Sequence, residues 1–134
     1  VDIAAGQGLT YPLLAPDDVH YYDGTDTTCS YIMLACAPDA TDTELLQAIR
    51  EKRFYATQGP EVHLDIVGDE AVVRCSPAAR ITLFTNRVCP RGYTVRGANQ
   101  TEDRAKLDPT ETFIRAEVTD ANGKMAWSNT IRLK

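Results

Sequence analysis

Arg53-Phe54-Tyr55-Ala56-Thr57-Gln58-Gly59-Pro60-Glu61 is where two kinds of sequence pattern meet. To its left the apolar residues recur at helical spacing: Leu45, Leu46 and Ile49 share one face with Ala48 beside them, while Gln47, Arg50 and Glu51 point outward. To its right the period becomes two, as Val62, Leu64 and Ile66 alternate with Glu61, His63 and Asp65. The stretch therefore reads as a joint. It divides the chain into residues 1–57, with strands and one helix, and residues 58–134, rich in strands.

Working leftward, Thr41-Asp42-Thr43-Glu44 is a capping box. The Thr41 side chain accepts from the backbone three residues on, and Glu44 reaches back. Lys52 and Arg53 suit the negative end of the helix dipole. Ser30 to Ala37 reads as a strand of the buried type, and Tyr22 to Thr28 as a surface loop with turn chemistry. Leu9 to Ala15 reads as a short strand that Pro12 confines to an edge or a first position, and Val1 to Gln7 as the end of a helix stopped by Gly8. The helix beginning at Thr41 would cover these two strands.

Working rightward, Gly68-Asp69 turns the chain, and Ala71, Val73 and Cys75 alternate with Val72 and Arg74. Ile81 and Leu83, Tyr93 to Arg96, and Arg104 to Leu107 supply further short strands. Phe113 to Thr119 alternates with Ile114, Ala116 and Val118 inward, Asp120-Ala121-Asn122-Gly123 is a hairpin turn, and Lys124 to Leu133 closes the sheet, with Trp127 covering one end. About seven short strands with turn signals between them predict an immunoglobulin-like antiparallel β-sandwich.

At 134 residues the chain holds one full domain, or one domain plus the remnant of another. A formal charge of -5 opposes phosphate tracking, so nucleic-acid binding is not expected of this segment. The longest apolar run, Tyr31 to Ala37, is far shorter than the roughly 20 residues that span a bilayer. The four cysteines form no C-x-x-C pair, and Cys36 and Cys75 fall on apolar strand faces as buried thiols, which points to a reducing, cytoplasmic setting. Val1 in place of an initiator Met is read as a cut within a longer protein. Asn99-Gln100-Thr101 fits a glycosylation sequon, relevant only to a secreted protein.

Asp17, Asp18 and His20 are the one compact group of metal-ligand residue types. At a strand tip, residues two apart project to the same side, so Asp18 and His20 would reach one site together. Two ligands do not hold a catalytic zinc, which takes three protein ligands and a water. His63, between Glu61 and Asp65, reads as part of a solvated strand face. No nucleophile elbow, Cys-His pair or phosphate-binding loop is present in the sequence.

Three features in this order resemble one family: Asp17-Asp18-Val19-His20; the strand and helix leading to Arg53 through Glu61; and the tail from Asp120-Ala121-Asn122-Gly123 to Ala126-Trp127-Ser128-Asn129. Over nearly its whole length the chain is similar to the C-terminal part of PHP-domain phosphoesterases (polymerase and histidinol phosphatase domain). The resemblance implies a distorted β/α barrel whose strand ends hold divalent metals, here Zn, Mn or Fe, and whose final metal motif is Asp-x-His. On that match Asp18 and His20 would be metal ligands, and the substrate a phosphorylated molecule hydrolysed with metal assistance. The family's earlier His-x-His motif is absent, since the only other histidine is His63.

The resulting expectation is a C-terminal fragment, the end of a barrel followed by a sandwich. Alone it would hold no metal and have no activity, and it would expose apolar residues among Leu13, Leu14, Ile32 and Leu34 that favour self-association. The competing expectation is a self-standing β-sandwich binding module in which Asp17, Asp18 and His20 are turn residues.

Overall fold

The computed structural model describes residues 1–87 and 94–134; Cys89, and Tyr93 at the start of one expected strand, lie outside the described residues. The protein is mainly β. In chain order it contains α1 (Asp2–Gly6), β1 (Tyr31–Leu34), α2 (Asp42–Arg50), β2 (Phe54–Thr57), β3 (Val62–Val67), β4 (Glu70–Thr85), β5 (Thr94–Lys106), β6 (Phe113–Thr119), β7 (Met125–Ser128) and β8 (Ile131–Arg132). The strands form one antiparallel sheet in the order β1-β2-β7-β6-β4-β3, with β5 on β4 and β8 on β6.

The long strand β4 organises this sheet. Its first half pairs β3, from Val67↔Glu70 to Val62↔Cys75, and its second half pairs β6, from Arg80↔Thr119 to Thr85↔Ile114. Between them the pairing with β5 shifts register twice, between Arg74 and Ala78 and between Ala78 and Arg80. Pro77 lies in that interval and has no N–H for a ladder; bulges of this kind bend a strand. β3 consequently packs against β6 and β7. The space between fills with Val62, Val73, Ile81, Leu83, Ile114, Ala116, Val118 and Ala126.

Local signals are realised where their partners are close in sequence. Thr41 and Glu44 form the capping box, with the Glu44 carboxylate accepting from the Thr41 N–H at 2.7 Å and the Glu44 N–H donating to Thr41 Oγ1 at 3.4 Å. Gly8, Gly68 and Gly123 take positive φ at the three expected turns. Val62, Leu64 and Ile66 face inward from β3, and Ile114, Ala116 and Val118 are fully buried in β6.

Several expectations are corrected. Phe54–Thr57 is an interior strand, paired with β1 from Leu34↔Phe54 to Tyr31↔Thr57 and with β7 through Tyr55↔Ser128 and Thr57↔Ala126. It is buried on both faces and so shows no alternation. One sheet takes strands from both sides of residue 57. Residues 71–75 and 81–83 belong to one strand, as do both described ends of β5, where only Ala105 is buried.

Leu9 to Ala15 forms no strand: Pro12 lacks an N–H, and neighbouring backbone groups bond to side chains. The strand expected from Ser30 to Ala37 shortens to β1, a half-exposed edge, and Cys36 is exposed beyond its end. Leu46 is 54% exposed, because α2 buries Ala48 and only partly covers Leu45 and Ile49. Val72 is buried, so β4 is covered on both faces there, whereas Cys75 is only half-buried. Trp127 is half-buried inside β7, opposite Glu117 and Ala56, and does not close an end. No helix among the described residues is long and apolar enough to cross a membrane.

Candidate functional site

Residues 16–30 form a loop braced by its own aspartates. Asp17 accepts from the N–H groups of Thr28 and Ser30, each at 2.5 Å, and Ser30 Oγ donates to the Pro16 carbonyl at 3.1 Å. Asp26 accepts from the N–H of His20 at 2.6 Å and of Tyr21 at 3.1 Å. Asp23 accepts from the Thr25 hydroxyl at 2.7 Å and from its N–H at 3.0 Å, and these bonds hold its carboxyl below the usual range. Such carboxylate-to-backbone bonds are how aspartate organises turns.

Asp18 and His20 differ from these neighbours. Both are exposed, and neither side chain makes a hydrogen bond or ion pair among the described residues. Asp18 has φ +57, a left-handed conformation that Asp tolerates better than most residues. The strand tip expected to project the two side chains together is absent. A left-handed residue turns the chain there, and the two-residue repeat of a strand does not operate.

The segment leading into this loop is tethered to the sheet by side chains distant in sequence. Asn129, buried between β7 and β8, accepts from the Leu13 N–H at 2.8 Å through Oδ1 and donates through Nδ2 to the carbonyls of Phe54 at 2.8 Å and Lys52 at 3.3 Å. Lys52 Nζ donates to both the carbonyl and the hydroxyl of Thr10. Lys52 itself takes φ +57 where α2 ends, and the Arg53 N–H then closes on the Ala48 carbonyl at 2.9 Å. At the chain's start the Arg115 guanidinium grips Asp2 with two bonds, of 2.5 and 2.8 Å, while also meeting Glu117 at 2.6 Å and lying over Phe84, 4.1 Å from the ring centre.

His63 lies elsewhere, on the wall of an open groove of about 720 Å³ between β1–β2 and β3. Its ring meets Tyr55 edge-on at 5.4 Å, and burial, followed by the nearby Glu61 and Tyr31, pushes the Tyr55 phenol up. Asp65 is paired with Arg74 at 3.2 Å, so the row Glu61-His63-Asp65 is in part an ion-paired surface.

Among the described residues no three His, Cys, Asp or Glu side chains converge on a metal site. Asp18 and His20 present one exposed carboxylate and one exposed imidazole, fewer than the three protein ligands a catalytic zinc takes. Comparison with protein-family models, curated proteins and solved structures finds no match.

Sequence reasoning missed the long-range ties made by Asn129, Lys52 and Arg115. Asn129 and Lys52 stand in or beside the stretches that carry the family resemblance, yet their partners lie 116 and 42 positions away, beyond any local pattern.

Proposed function

We propose that this chain is the C-terminal part of a PHP-type metal-dependent phosphoesterase, with Asp18 and His20 as ligands to a divalent Zn, Mn or Fe ion and a phosphorylated molecule as substrate. In this reading residues 1–57 are the end of the barrel and residues 58–134 an immunoglobulin-like sandwich. The observation that carries it is the difference within the 16–30 loop: Asp17, Asp23 and Asp26 are engaged with the loop's own N–H groups, and the two residues of the Asp-x-His motif keep their side chains free. When bound, such ions supply water activation and charge neutralisation at the phosphoryl oxygens.

The remaining ligands would approach over the apolar surface of the N-terminal third. Of the exposed large hydrophobics among the described residues, all but Val67 lie within residues 1–46, including Ile3, Leu9, Leu14, Tyr22 and Met33. Leu14 is 55% exposed, while Leu13, Ile32 and Leu34 are half-buried. A surface of this kind supports a covering partner, whether the rest of a barrel or a second copy.

The sequence encoded upstream of Val1 tests the proposal. A His-x-His and further His, Asp and Glu motifs are expected there, and their absence would refute it. In the protein that includes them, Asp18→Ala or His20→Ala should abolish both metal retention and phosphoester hydrolysis. The chain by itself is expected to retain no stoichiometric metal.

The alternative, a self-standing binding module without catalysis, draws support from the groove between β1–β2 and β3 and from the unbroken pairing of β2 with β7. It gains if the gene begins near Val1.

A further inference from the structure

We infer that the β-sheet body serves as a positioning platform for the Asp18–His20 loop, with Asn129 the positioning residue that couples them; this rests on the metal-ligand reading of those two side chains. The geometry is specific. One buried amide uses its oxygen on the Leu13 N–H and its nitrogen on the carbonyls of Phe54 and Lys52, so the chain five residues before Asp18 is fixed to the start of β2 and to the exit of α2. The Lys52 ammonium adds a second tie three residues earlier, at Thr10. From Leu13 the chain runs directly into the loop, whose far end Asp17 fastens at Ser30, immediately before β1. Both ends of the loop are thereby referenced to the sheet.

Asn129 touches neither Asp18 nor His20 and would act only through the backbone between. Positional errors of the order of 1 Å at a ligand-bearing segment weaken metal sites; hydrogen bonds made directly to ligands are worth roughly tenfold to a hundredfold in affinity, so a tie acting through the backbone falls at or below the lower end of that range.

The test uses the full-length protein and measures Mn²⁺ and Zn²⁺ affinity by chelator competition, beside thermal melting and amide hydrogen exchange at Leu13, His20, Tyr21 and Ser30. For Asn129→Ala, metal affinity is expected to fall about tenfold, with faster exchange confined to residues 9–30. Should Asn129→Ala fail to fold, Lys52→Met decides: it cuts the tie at Thr10, leaves the buried amide in place, and should lower affinity in the same direction. A merely structural role would lower the melting temperature and leave the affinity of the folded protein unchanged. Wild-type affinity in the folded variants overturns the inference while the metal reading stands. A wild-type protein that binds neither ion overturns the metal reading itself.

Discussion

Replacing Arg115 by Met tests how α1 is held to the sheet. The Arg115 side chain is 7% exposed and joins Asp2 and Glu117 while covering the Phe84 ring. Removing one partner of a fully buried ion pair costs about 3–5 kcal/mol, because the survivor is left charged and dry. Here the survivors are wetter, with the Asp2 side chain 40% exposed and that of Glu117 20% exposed, so that cost falls to about 2 kcal/mol. Loss of the cation–π contact adds about 0.5–1 kcal/mol, and Met keeps most of the apolar stem.

The sum, about 2.5–3 kcal/mol, corresponds to a drop of about 10 °C in Tm for a domain of this size. Thermal melting followed by circular dichroism would measure it, and Arg115→Met combined with Glu117→Gln should recover part of the loss. Acid titration gives a second readout. Arg115's hydrogen bonds hold the Asp2 carboxyl below its ordinary value of 3.8 despite partial burial. Its contribution is therefore complete above that value and lost as pH falls through the depressed folded-state value, a dependence the variant should lack. A variant melting within about 2 °C of wild type at neutral pH would refute the clamp.

Asp103 presents the opposite sign: burial pushes its carboxyl up, and Oδ2 is buried without a hydrogen-bond partner. Asp103→Asn should be the more stable protein at neutral pH, with the gain shrinking as pH falls through the raised folded-state value and gone below 3.8, where both folded and unfolded Asp103 are protonated; equal pH profiles in denaturant titrations would refute this. Gly59 has φ +141, and its N–H donates to Thr57 Oγ1 at 2.8 Å, so Gly59→Ala should cost about 2 kcal/mol by urea unfolding, and an unchanged midpoint would count against strain there. Thr41→Ala removes the cap of α2 and should cost about 1 kcal/mol, with amide exchange accelerating in the first turn.

The elements legible in the residues are those whose determinants lie within a few positions of one another. Thr41 and Glu44 are three apart, the Gly68 and Gly123 turns need only a residue that tolerates positive φ, and β3 carries its burial in a period of two. The same reasoning singles out Asp18 and His20 by type and places them, wrongly, on a strand tip.

Tertiary structure decides what depends on partners distant in sequence. Phe54–Thr57 becomes a central strand because β1 and β7 supply both ladders, and burial on both sides removes the alternation that would announce it. β5 exists because β4 offers an edge along its length, not because its own residues seek a core. Leu9 to Ala15 is held by Asn129 and Lys52 without joining a sheet. Sequence alone determined the residue types and local turns, since these follow from neighbours along the chain. Which edges are paired, which aspartates are engaged and which side chains remain free follow from hydrogen-bond accounting across the whole fold, and that accounting closes only in three dimensions.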